Sequence, residues 1–283
     1  MASAEIFSIE EFSVYDGPGM RTTVFIAGCP LRCEWCHNPE GQSTDKLILR
    51  SPNGCIGCGS CMKDAVRVGD RVLYSPDSVG RCPKRLLRPR AVTMTENELM
   101  ARLMPLLPIL NAAGGGVTFS GGEPTFSGEF LIESLRLLEG RTHRAVESCG
   151  YCPRELFLSV LDECELVLFD LKIIDSDSHK RYTGRPNGII LENFRTLVKS
   201  GRDFTVRVPL IPTVTDTERN LTDIARLLCE CGVKRVELLP YNKLAGAKYP
   251  LAGMVYAPSF DEKKAPEPRV EIFASYGLLA EIR

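Results

Sequence analysis

The sequence has no marked excess of either charge, since 35 Lys and Arg stand against 36 Asp and Glu. This balance gives no indication of nucleic-acid or anionic-membrane binding, because both partners favour a strongly basic surface. Long apolar runs are also lacking: the longest, residues 103–110, contains two prolines and is far too short to cross a bilayer. The opening MASAEIFSIEEF lacks a basic segment followed by an apolar one, the pattern of an export signal. Together these absences predict a cytoplasmic protein with no membrane or nucleic-acid partner.

Cysteine, by contrast, is plentiful and unevenly distributed. Seven of the 12 cysteines fall between residues 29 and 82. In a reducing compartment such clusters indicate metal ligation rather than disulfides. Cys29, Cys33 and Cys36 form a C-x3-C-x2-C triplet, and three thiolates at this spacing can hold three corners of a [4Fe–4S] cluster. An electron-transfer cluster uses four cysteines, so the missing fourth ligand suggests an iron left free for a substrate.

Two other interpretations compete for the same cysteines. The run from Cys33 to His37 reads C-x-x-C-H, the pattern of covalent haem attachment, but that attachment needs an exported protein. Zinc could instead pair Cys33 and Cys36 with Cys58 and Cys61 as two C-x2-C knuckles. That pairing leaves three cysteines of the same region unexplained. The iron–sulfur interpretation is therefore favoured over both.

Short β-branched runs alternate with amphipathic segments, a pattern typical of a parallel sheet built from strand–helix units. A chain of 283 residues is long enough for one such α/β domain with a small insertion. The predicted strands are 22–27, 117–120, 144–148, 166–171, 205–209 and 236–239. The predicted helices include 129–138, 154–162, 193–199 and 220–230. Periodicity alone leaves open whether six strands form an open doubly wound sheet or a partial barrel.

The cysteine triplet and a glycine-rich turn each follow a predicted strand. VFIAGC leads from the first strand into the triplet, and TFSGGEP ends the second. Because the carboxyl ends of parallel strands share one edge, both loops are expected at the same mouth, where such folds place active sites. Gly121 and Gly122 would let the backbone approach a ligand closely, and the Glu123 carboxylate could pair with an ammonium group.

Taken together, these motifs resemble those of the radical S-adenosylmethionine (SAM) superfamily. Within it, DGPGMR at 16–21, FDLK at 169–172 and ELLPYNKLAGAKY at 237–249 resemble the activating enzymes of glycyl radical enzymes, relatives of pyruvate formate-lyase activase. The resemblance covers nearly the whole chain in the right order. It implies an α/β fold, a partial (β/α)6 TIM-like barrel formed by residues 1–44 and 96–283. Residues 45–95, which show little periodicity, would form a small ferredoxin-like iron–sulfur insertion.

The resemblance also implies a reaction, that of an oxidoreductase acting as a SAM-dependent activase. Cys29, Cys33 and Cys36 would ligate three irons, and the amino and carboxylate groups of SAM would chelate the fourth. One electron would break the sulfonium bond to the ribose carbon, and the 5′-deoxyadenosyl radical would take a hydrogen atom from a glycine of a partner glycyl radical enzyme. A flavodoxin or ferredoxin-type protein would be the reductant. The alternatives are a radical SAM enzyme acting on a small molecule and a non-enzymatic iron–sulfur module.

The same resemblance implies roles for further residues. Those that would contact the adenosyl part of SAM are Trp35, Cys36 and His37. Those at its methionyl end are Gly121, Gly122 and Glu123. A monovalent cation would be bound near Glu147, Ser148 and Asp170. The remaining residues expected at the SAM site are Asp170, Leu171, Lys172, Arg207 and Asn242. Asp16 and Arg21 would engage the glycine loop of the partner.

Several of these residues have a second interpretation or depart from the family pattern. Trp35, the single tryptophan, could be a core residue, and Asp170 with Lys172 could be a surface ion pair. Asn242 stands where family members usually have histidine. Asparagine can still donate and accept hydrogen bonds but cannot titrate, which excludes proton transfer there and leaves ligand binding open. For Cys149, in a later C-x2-C pair, packing is favoured over a redox role.

The insertion carries four more candidate metal ligands. Cys55, Cys58 and Cys61 form C-x2-C-x2-C, and Cys82 is followed by proline, as in one cluster of a bacterial ferredoxin. The fourth cysteine of the two-cluster pattern is absent, because residue 65 is alanine, and no second triplet follows. These features predict a single auxiliary [4Fe–4S] cluster. A zinc-bound or degenerate remnant is the alternative.

Overall fold

The computed structural model describes residues 2–69, 71–252 and 254–283; residues 1, 70 and 253, which fall inside the two predicted domain ranges, lie outside the described residues. The strands are β1 (Ser3–Ser13), β2 (Arg21–Ile26), β3 (Ile48–Arg50), β4 (Val66–Val68), β5 (Arg71–Leu73), β6 (Leu87–Pro89), β7 (Val92–Thr95), β8 (Gly116–Gly121), β9 (His143–Ser148), β10 (Leu166–Asp170), β11 (Asp203–Leu210), β12 (Arg235–Pro240) and β13 (Leu279–Ile282). The α-helices are α1 (Ser78–Arg81), α2 (Glu96–Leu103), α3 (Leu107–Ala112), α4 (Gly128–Leu137), α5 (Arg154–Glu163), α6 (Ser176–Thr183), α7 (Gly188–Ser200), α8 (Glu218–Glu230), α9 (Ala245–Lys248) and α10 (Val270–Ser275). Short 3₁₀ turns lie at Pro39–Gly41, Ser60–Met62, Met104–Leu106, Pro124–Ser127 and Pro250–Ala252.

Nine strands of the described chain form one sheet in the order β13-β12-β11-β10-β9-β8-β2-β1-β7. The seven strands from β13 to β2 are parallel, whereas β1 is antiparallel to β2 and β7 is antiparallel to β1. All six predicted strands and all four predicted helices are present, and helical segments connect successive parallel strands. The predicted α/β partial barrel is therefore confirmed. The structure adds β13 and the antiparallel pair β1 and β7, which the sequence pattern did not indicate.

The core lies between the sheet and the surrounding helices. The middle strands are buried along most of their length, as expected for parallel strands covered on both faces. Helix α8 shows how the sequence directs this packing: Leu221, Ile224 and Leu228 recur at helical spacing and are fully buried. Thr217 begins the helix, because its side chain accepts a hydrogen bond from the Asn220 amide. Among the described residues, no helix is both long and apolar enough to span a bilayer.

The segment predicted as an insertion leaves this sheet between β2 and β7. It forms two small antiparallel pairs, β3 with β6 and β4 with β5, together with the short helix α1. Strand β7 falls inside the predicted range 45–95 but pairs with β1 in the large sheet. The buried Arg90 anchors the segment, since its guanidinium donates to the carbonyls of Glu40 at 2.7 Å and Asp45 at 2.8 Å. The base of the insertion is thus tied to the chain that leaves the cysteine triplet.

Candidate active site

A cavity of about 600 Å³ opens at the carboxyl ends of the parallel strands. Of the residues predicted for the site, those that line it are Asp16, Cys29, Cys33, Trp35, Cys36, His37, Gly121, Gly122, Glu123, Glu147, Ser148, Asp170, Lys172 and Asn242. Arg21, Leu171 and Arg207 do not line it. The cavity is in the size range of cofactor sites. Loops that are far apart in the sequence therefore meet at one mouth.

The cysteine triplet lies in a loop that follows β2 and is held by neighbouring backbone. The Arg32 and Glu34 amides donate to the carbonyls of Thr183 and Tyr182, at the end of α6, at 2.7 and 3.1 Å. From the other side, the Tyr249 hydroxyl donates to the Cys36 carbonyl at 3.1 Å. These contacts fix the loop backbone on both sides, so the three thiols share one cavity wall.

The environment of the three thiols favours their neutral form. Burial, followed by the Glu123 carboxylate, raises the pKa of Cys29 to about 12. Burial also raises the pKa values of Cys33 and Cys36, an effect that nearby Lys172 opposes. Thiols of this kind need a positive centre to become thiolates, which is what iron supplies on binding. Three soft sulfur donors that line one cavity nevertheless fit an iron–sulfur cluster.

The spacing of the cysteines also bears on which metal group they suit. In the described residues no three His, Cys, Asp or Glu side chains converge closely enough to hold a single metal ion. A cubane cluster does not require that convergence, because each cysteine binds a different iron. The zinc pairing considered from the sequence is not formed, since Cys33 and Cys36 line this cavity while Cys58 and Cys61 line another.

The GGEP turn brings the end of β8 against the end of β2. A Cβ atom on Gly121, whose φ is +130°, would lie 2.2 Å from the Ile26 carbonyl oxygen. A Cβ atom on Gly122 would lie 2.4 Å from the Gly28 carbonyl oxygen. This close approach allows the Gly122 amide to donate to the Ile26 carbonyl at 2.9 Å and the Glu123 amide to donate to the Gly28 carbonyl at 2.8 Å. Both glycines are required by backbone contact and leave the cavity wall free of side chains there.

The Glu123 carboxylate is satisfied by protein donors. It is 1% exposed and accepts hydrogen bonds from the hydroxyls of Thr125 at 2.7 Å and Ser148 at 2.8 Å. It also accepts from the Cys149 amide at 2.9 Å and thiol at 3.1 Å. The structure therefore shows Glu123 bracing the β8 turn against the end of β9. Pairing with a ligand ammonium group stays a prediction.

Asp170 and Lys172 form an ion pair inside the cavity rather than on the surface. The Lys172 ammonium donates to one Asp170 carboxylate oxygen at 2.7 Å. Burial lowers the pKa of Lys172, but the Asp170 carboxylate and the neighbouring thiols raise it by more. Lys172 is therefore charged. The second Asp170 oxygen, Oδ1, is buried and has no hydrogen-bond partner among the described residues. An unsatisfied buried carboxylate oxygen is costly and suits a ligand donor or a cation.

A buried network of charges lies behind this pair. The Arg207 guanidinium donates to Glu147 at 2.9 Å, to Glu237 at 3.0 Å and to the Tyr15 carbonyl at 2.6 Å. Burial, opposed by Arg207, raises the pKa of Glu147. Burial lowers the pKa of Arg207, but the neighbouring carboxylates raise it by more, so its pKa lies above the ordinary value. Arg207 is therefore placed one layer away from the cavity, where it orients Glu147 and holds the loop that contains Tyr15.

Three predicted ligand contacts lie on the side of the cavity formed by the triplet and the chain after β12. Trp35 is 6% exposed and packs with Ile173 and Tyr241 in a small apolar cluster, so it is both a core residue and part of the cavity wall. The His37 side chain is exposed at the cavity, and partial desolvation of its ring, followed by the charge of Lys248, lowers its pKa. The Asn242 side-chain oxygen accepts from the Leu244 amide at 2.9 Å.

The two residues predicted to meet a partner protein lie in different environments. Asp16 lines the cavity and accepts from the hydroxyls of Ser13 at 2.7 Å and Thr23 at 2.6 Å. Arg21 is 0% exposed and donates to Thr118 and to the Val117 and Pro18 carbonyls. Burial lowers the pKa of Arg21 to about 10. In this structure Arg21 holds the DGPG turn against β8 and has no surface to offer a partner.

Some lining residues were missed from the sequence. Cys149, for which packing was favoured, lines the cavity as a buried thiol directly after Ser148. Tyr15 and Lys248 also line it. Both lie in or beside motifs already recognised, DGPGMR and ELLPYNKLAGAKY, and that proximity is the signal that could have identified them.

A second cavity, of about 200 Å³, lies in the insertion and brings together Cys55, Cys58, Cys61 and Cys82. The Arg50 guanidinium donates to the Cys55 sulfur at 2.9 Å. The Gly57 amide and then Arg50 lower the pKa of Cys55, and hydrogen bonds from Ser60 lower that of Cys58. The four thiols thus surround one space, and the surroundings of Cys55 and Cys58 favour thiolate. The donor set fits a second cluster.

Comparisons with known proteins agree with this geometry. A family model described as the Radical SAM superfamily matches residues 23–228. The choline trimethylamine-lyase activating enzyme of Oleidesulfovibrio alaskensis is 33% identical over 273 residues, covering 89% of this chain and 88% of the relative. The 4-hydroxyphenylacetate decarboxylase activating enzyme of Clostridium scatologenes is 34% identical over 275 residues, with coverages of 89% and 87%. The crystal structure of Streptococcus suis SuiB bound to precursor peptide SuiA aligns with a TM-score of 0.58 at 9% identity over 95% of this chain and 49% of that one, a likeness of fold alone.

Proposed function

The chain belongs to the radical SAM superfamily and, within it, to the activating enzymes of glycyl radical enzymes, and on that premise we propose how its two cysteine-lined cavities divide the reaction. The protein is a SAM-dependent oxidoreductase whose partner is a glycyl radical enzyme. The barrel cavity holds the SAM-binding cluster, and the insertion holds an auxiliary one. The observation that carries the proposal is the meeting of three thiols, the GGEP turn and the open Asp170 oxygen in one cavity.

When bound, the cluster and SAM supply electron transfer and homolytic cleavage of the sulfonium bond, which give the 5′-deoxyadenosyl radical that takes a hydrogen atom from the partner's glycine. Cys29, Cys33 and Cys36 hold the cluster, and the hydrogen bonds to their loop keep its backbone in place. The closed backbone contact at Gly121 and Gly122 leaves room for the methionyl end of SAM. Trp35, with a rigid ring fixed in the wall, offers a flat face to the adenosyl part.

Asp170 is the best supported contact for the charged end of SAM or for a monovalent cation. Its Oδ1 atom accepts no hydrogen bond from the described part of the chain, whereas the two Glu147 oxygens accept from Arg207 and from Ser120. The Ser148 hydroxyl donates to Glu123. Of the three residues assigned to a cation site, Asp170 therefore has the one open carboxylate oxygen. The Lys172 ammonium pairs with the other oxygen of that carboxylate, Oδ2, at 2.7 Å.

The partner's glycine loop must enter the mouth of the barrel cavity. Tyr15 stands at that mouth, is 78% exposed and precedes Asp16. The main chain at Tyr15 is fixed by Arg207, and the following turn is fixed by Arg21. We assign Asp16 to contact with the loop and Arg21 to positioning of the turn.

The auxiliary cluster is assigned to Cys55, Cys58, Cys61 and Cys82, with a flavodoxin or ferredoxin-type protein as reductant. Two of these thiols are exposed and have lowered pKa values, so electron exchange with a protein in solution is feasible there. We assign the protein to the cytoplasm, the reducing compartment that clusters held by cysteine thiolates need.

One assay tests the activase assignment. Reduced, anaerobically purified protein is incubated with SAM and a candidate glycyl radical enzyme, and 5′-deoxyadenosine and the glycyl radical signal in electron paramagnetic resonance are measured. Both products are expected. Deoxyadenosine without a protein radical, across the candidate partners, would favour the small-molecule alternative, and absence of deoxyadenosine would contradict SAM cleavage altogether.

A further inference from the structure

The insertion differs sharply in charge from the rest of the protein. Residues 45–95 contain ten Lys and Arg against four Asp and no Glu, although the whole chain has a net charge of −1. Inside the segment, Arg81 already pairs with Asp64 and Asp77. Two of its four acids are thus matched by one base. The positive charge that remains is concentrated on this small part of the surface.

Much of that charge is exposed close to the cysteine-lined cavity. Lys84 lies on the cavity rim, and Arg85 follows it on the surface. Neither forms an ion pair within the described chain. Lys63 is also exposed, next to the rim residue Met62. These bases, Lys63, Lys84 and Arg85, are called the basic rim below.

The basic rim surrounds an exposed apolar centre. Ile56 is 60% exposed and Met62 is 40% exposed, and both line the cavity that contains the four cysteines. An apolar centre within a charged border is the usual composition of a protein–protein contact surface. Transient redox contacts are small, below about 1,200 Å² in total, so they need few residues on each partner.

The barrel mouth has the opposite character. Its lining contains five acids, Glu10, Asp16, Glu123, Glu147 and Asp170, against two lysines, Lys172 and Lys248. An acidic protein is repelled from such a mouth and attracted to the basic rim. The two surfaces thus suit two different partners, and the glycine loop needs the barrel mouth.

The insertion is also in packing contact with the barrel site. Strand β3 lies against the turn Pro250–Ala252. That turn directly follows Tyr249, whose hydroxyl donates to the Cys36 carbonyl. Arg90 links the insertion to the chain after the triplet. A short protein path therefore joins the two cavities.

From these observations we infer that the basic rim and its apolar centre are the docking surface for an acidic one-electron carrier protein. The carrier loses one electron, the auxiliary cluster gains it, and no proton or bond changes place. The inference rests on the proposed auxiliary cluster and adds where the reductant binds and by what chemistry.

The test uses the cluster-loaded protein and an acidic flavodoxin as probe. In a Lys63→Glu, Arg85→Glu double variant, we expect the Kd for oxidised flavodoxin, measured by calorimetry in 50 mM salt, to rise at least about tenfold. The KM for reduced flavodoxin in SAM cleavage should rise in parallel, and the difference should shrink in 500 mM salt. A Lys63→Ala, Arg85→Ala variant, which removes half as much charge, should show a smaller rise.

The matched control is an Arg195→Glu, Lys234→Glu variant, which reverses two exposed charges on the barrel. It should leave both constants within about twofold of the wild type. Equal effects from the two reversals, or no effect from the insertion reversal, would overturn the docking assignment. So would weakened binding of the glycyl radical enzyme by the insertion variant with flavodoxin binding intact.

Dithionite separates this inference from the proposed function, because a small reductant needs no docking surface. Iron content and dithionite-driven deoxyadenosine formation should stay within about twofold in all variants. If dithionite drives no cleavage in the wild type, the proposed function fails. If it does and flavodoxin ignores the basic rim, the docking inference alone fails.

Discussion

The two cysteine-lined cavities of this protein hold similar donors in opposite environments. In the barrel, burial raises the pKa values of the triplet thiols, and the surrounding carboxylates add to that effect at Cys29. In the insertion, backbone amides, Arg50 and Ser60 lower the pKa values of Cys55 and Cys58 at the surface. The buried site can shield a reactive radical from water, whereas the exposed one can exchange electrons with a protein in solution. The surroundings, more than the donors, thus set which chemistry each cavity suits.

The largest expected effect comes from removing one ligand in each cavity. Cys36→Ser should reduce dithionite-driven SAM cleavage to background, because the barrel cluster loses one of its three protein ligands. Cys58→Ser should lose iron from the insertion but retain dithionite-driven cleavage. Deoxyadenosine formation and iron content measure the two outcomes.

Cys229→Ser is the matched control, since Cys229 is exposed on α8 and is assigned to no metal. It should change neither quantity. Complete loss of dithionite-driven cleavage in Cys58→Ser, with the barrel cluster still present, would contradict the division between the two sites.

Alkylation of the iron-free protein compares the thiols directly. At pH 8 a thiol with a pKa of about 12 is ionised in about one molecule in ten thousand, so Cys29 should react at least about a hundredfold more slowly than Cys55. Because its pKa is raised, the rate at Cys29 should keep rising with pH up to about pH 12, while the rate at Cys55 should level off early. Mass spectrometry of peptides after iodoacetamide treatment gives both rates. Equal rates at pH 8 would show that the two environments do not differ as described.

Arg207, inside the barrel, and Arg81, on the surface of the insertion, each form ion pairs with two acidic side chains. Arg207→Met leaves the largely buried Glu147 without its cationic partner, while Glu237 keeps Arg283, and should lower the free energy of unfolding by about 3–5 kcal/mol. Arg81→Met, the matched control, should have a much smaller effect because its partners are solvated. Chemical denaturation measures both. Similar losses would contradict the contrast in burial.

Asp170→Asn should give the smallest of these effects, a fall in ligand affinity. Loss of the carboxylate charge weakens contact with an ammonium group or a cation, so the affinity of the cluster-loaded protein for SAM should fall about 10- to 100-fold. Asp64→Asn, which alters an ion-paired aspartate of the insertion, should leave SAM affinity unchanged. Calorimetric titration with SAM measures the affinity of both variants. An unchanged affinity in Asp170→Asn would show that this residue is not part of the SAM site.

Local motifs predicted most of the barrel and its site, because those motifs carry geometric requirements. Gly121 and Gly122 are visible in the sequence because any side chain there would strike neighbouring backbone, at Ile26 for Gly121 and at Gly28 and Gly41 for Gly122. Asp170 ends β10 and the cysteine triplet follows β2, and both strands have recognisable apolar runs. Because the two strands are parallel, the sequence already predicted that these residues lie at the same edge of the sheet. Strand β1 was missed because its serines and glutamates leave it half exposed without a clear alternating pattern.

Other features depend on contacts that no local pattern contains. Arg207 reaches the Tyr15 carbonyl across 192 residues of sequence. Arg21 reads as a surface residue of a glycine-rich turn, yet its side chain enters the sheet and meets Thr118, 97 residues away. Besides Thr125 in its own turn, Glu123 is bonded by Ser148 and Cys149 at the end of the next strand, so its bracing role could not be seen in GGEP.

The most direct test of the division between the two cavities is Mössbauer spectroscopy of the protein loaded with ⁵⁷Fe, recorded with and without SAM. About eight irons per chain are expected. SAM should change the signal of one cluster only, and Cys58→Ser should remove the signal that SAM leaves unchanged. About four irons per chain with zinc in the insertion, or a response of both clusters to SAM, would contradict the assignment of chemistry to one cavity and electron exchange to the other.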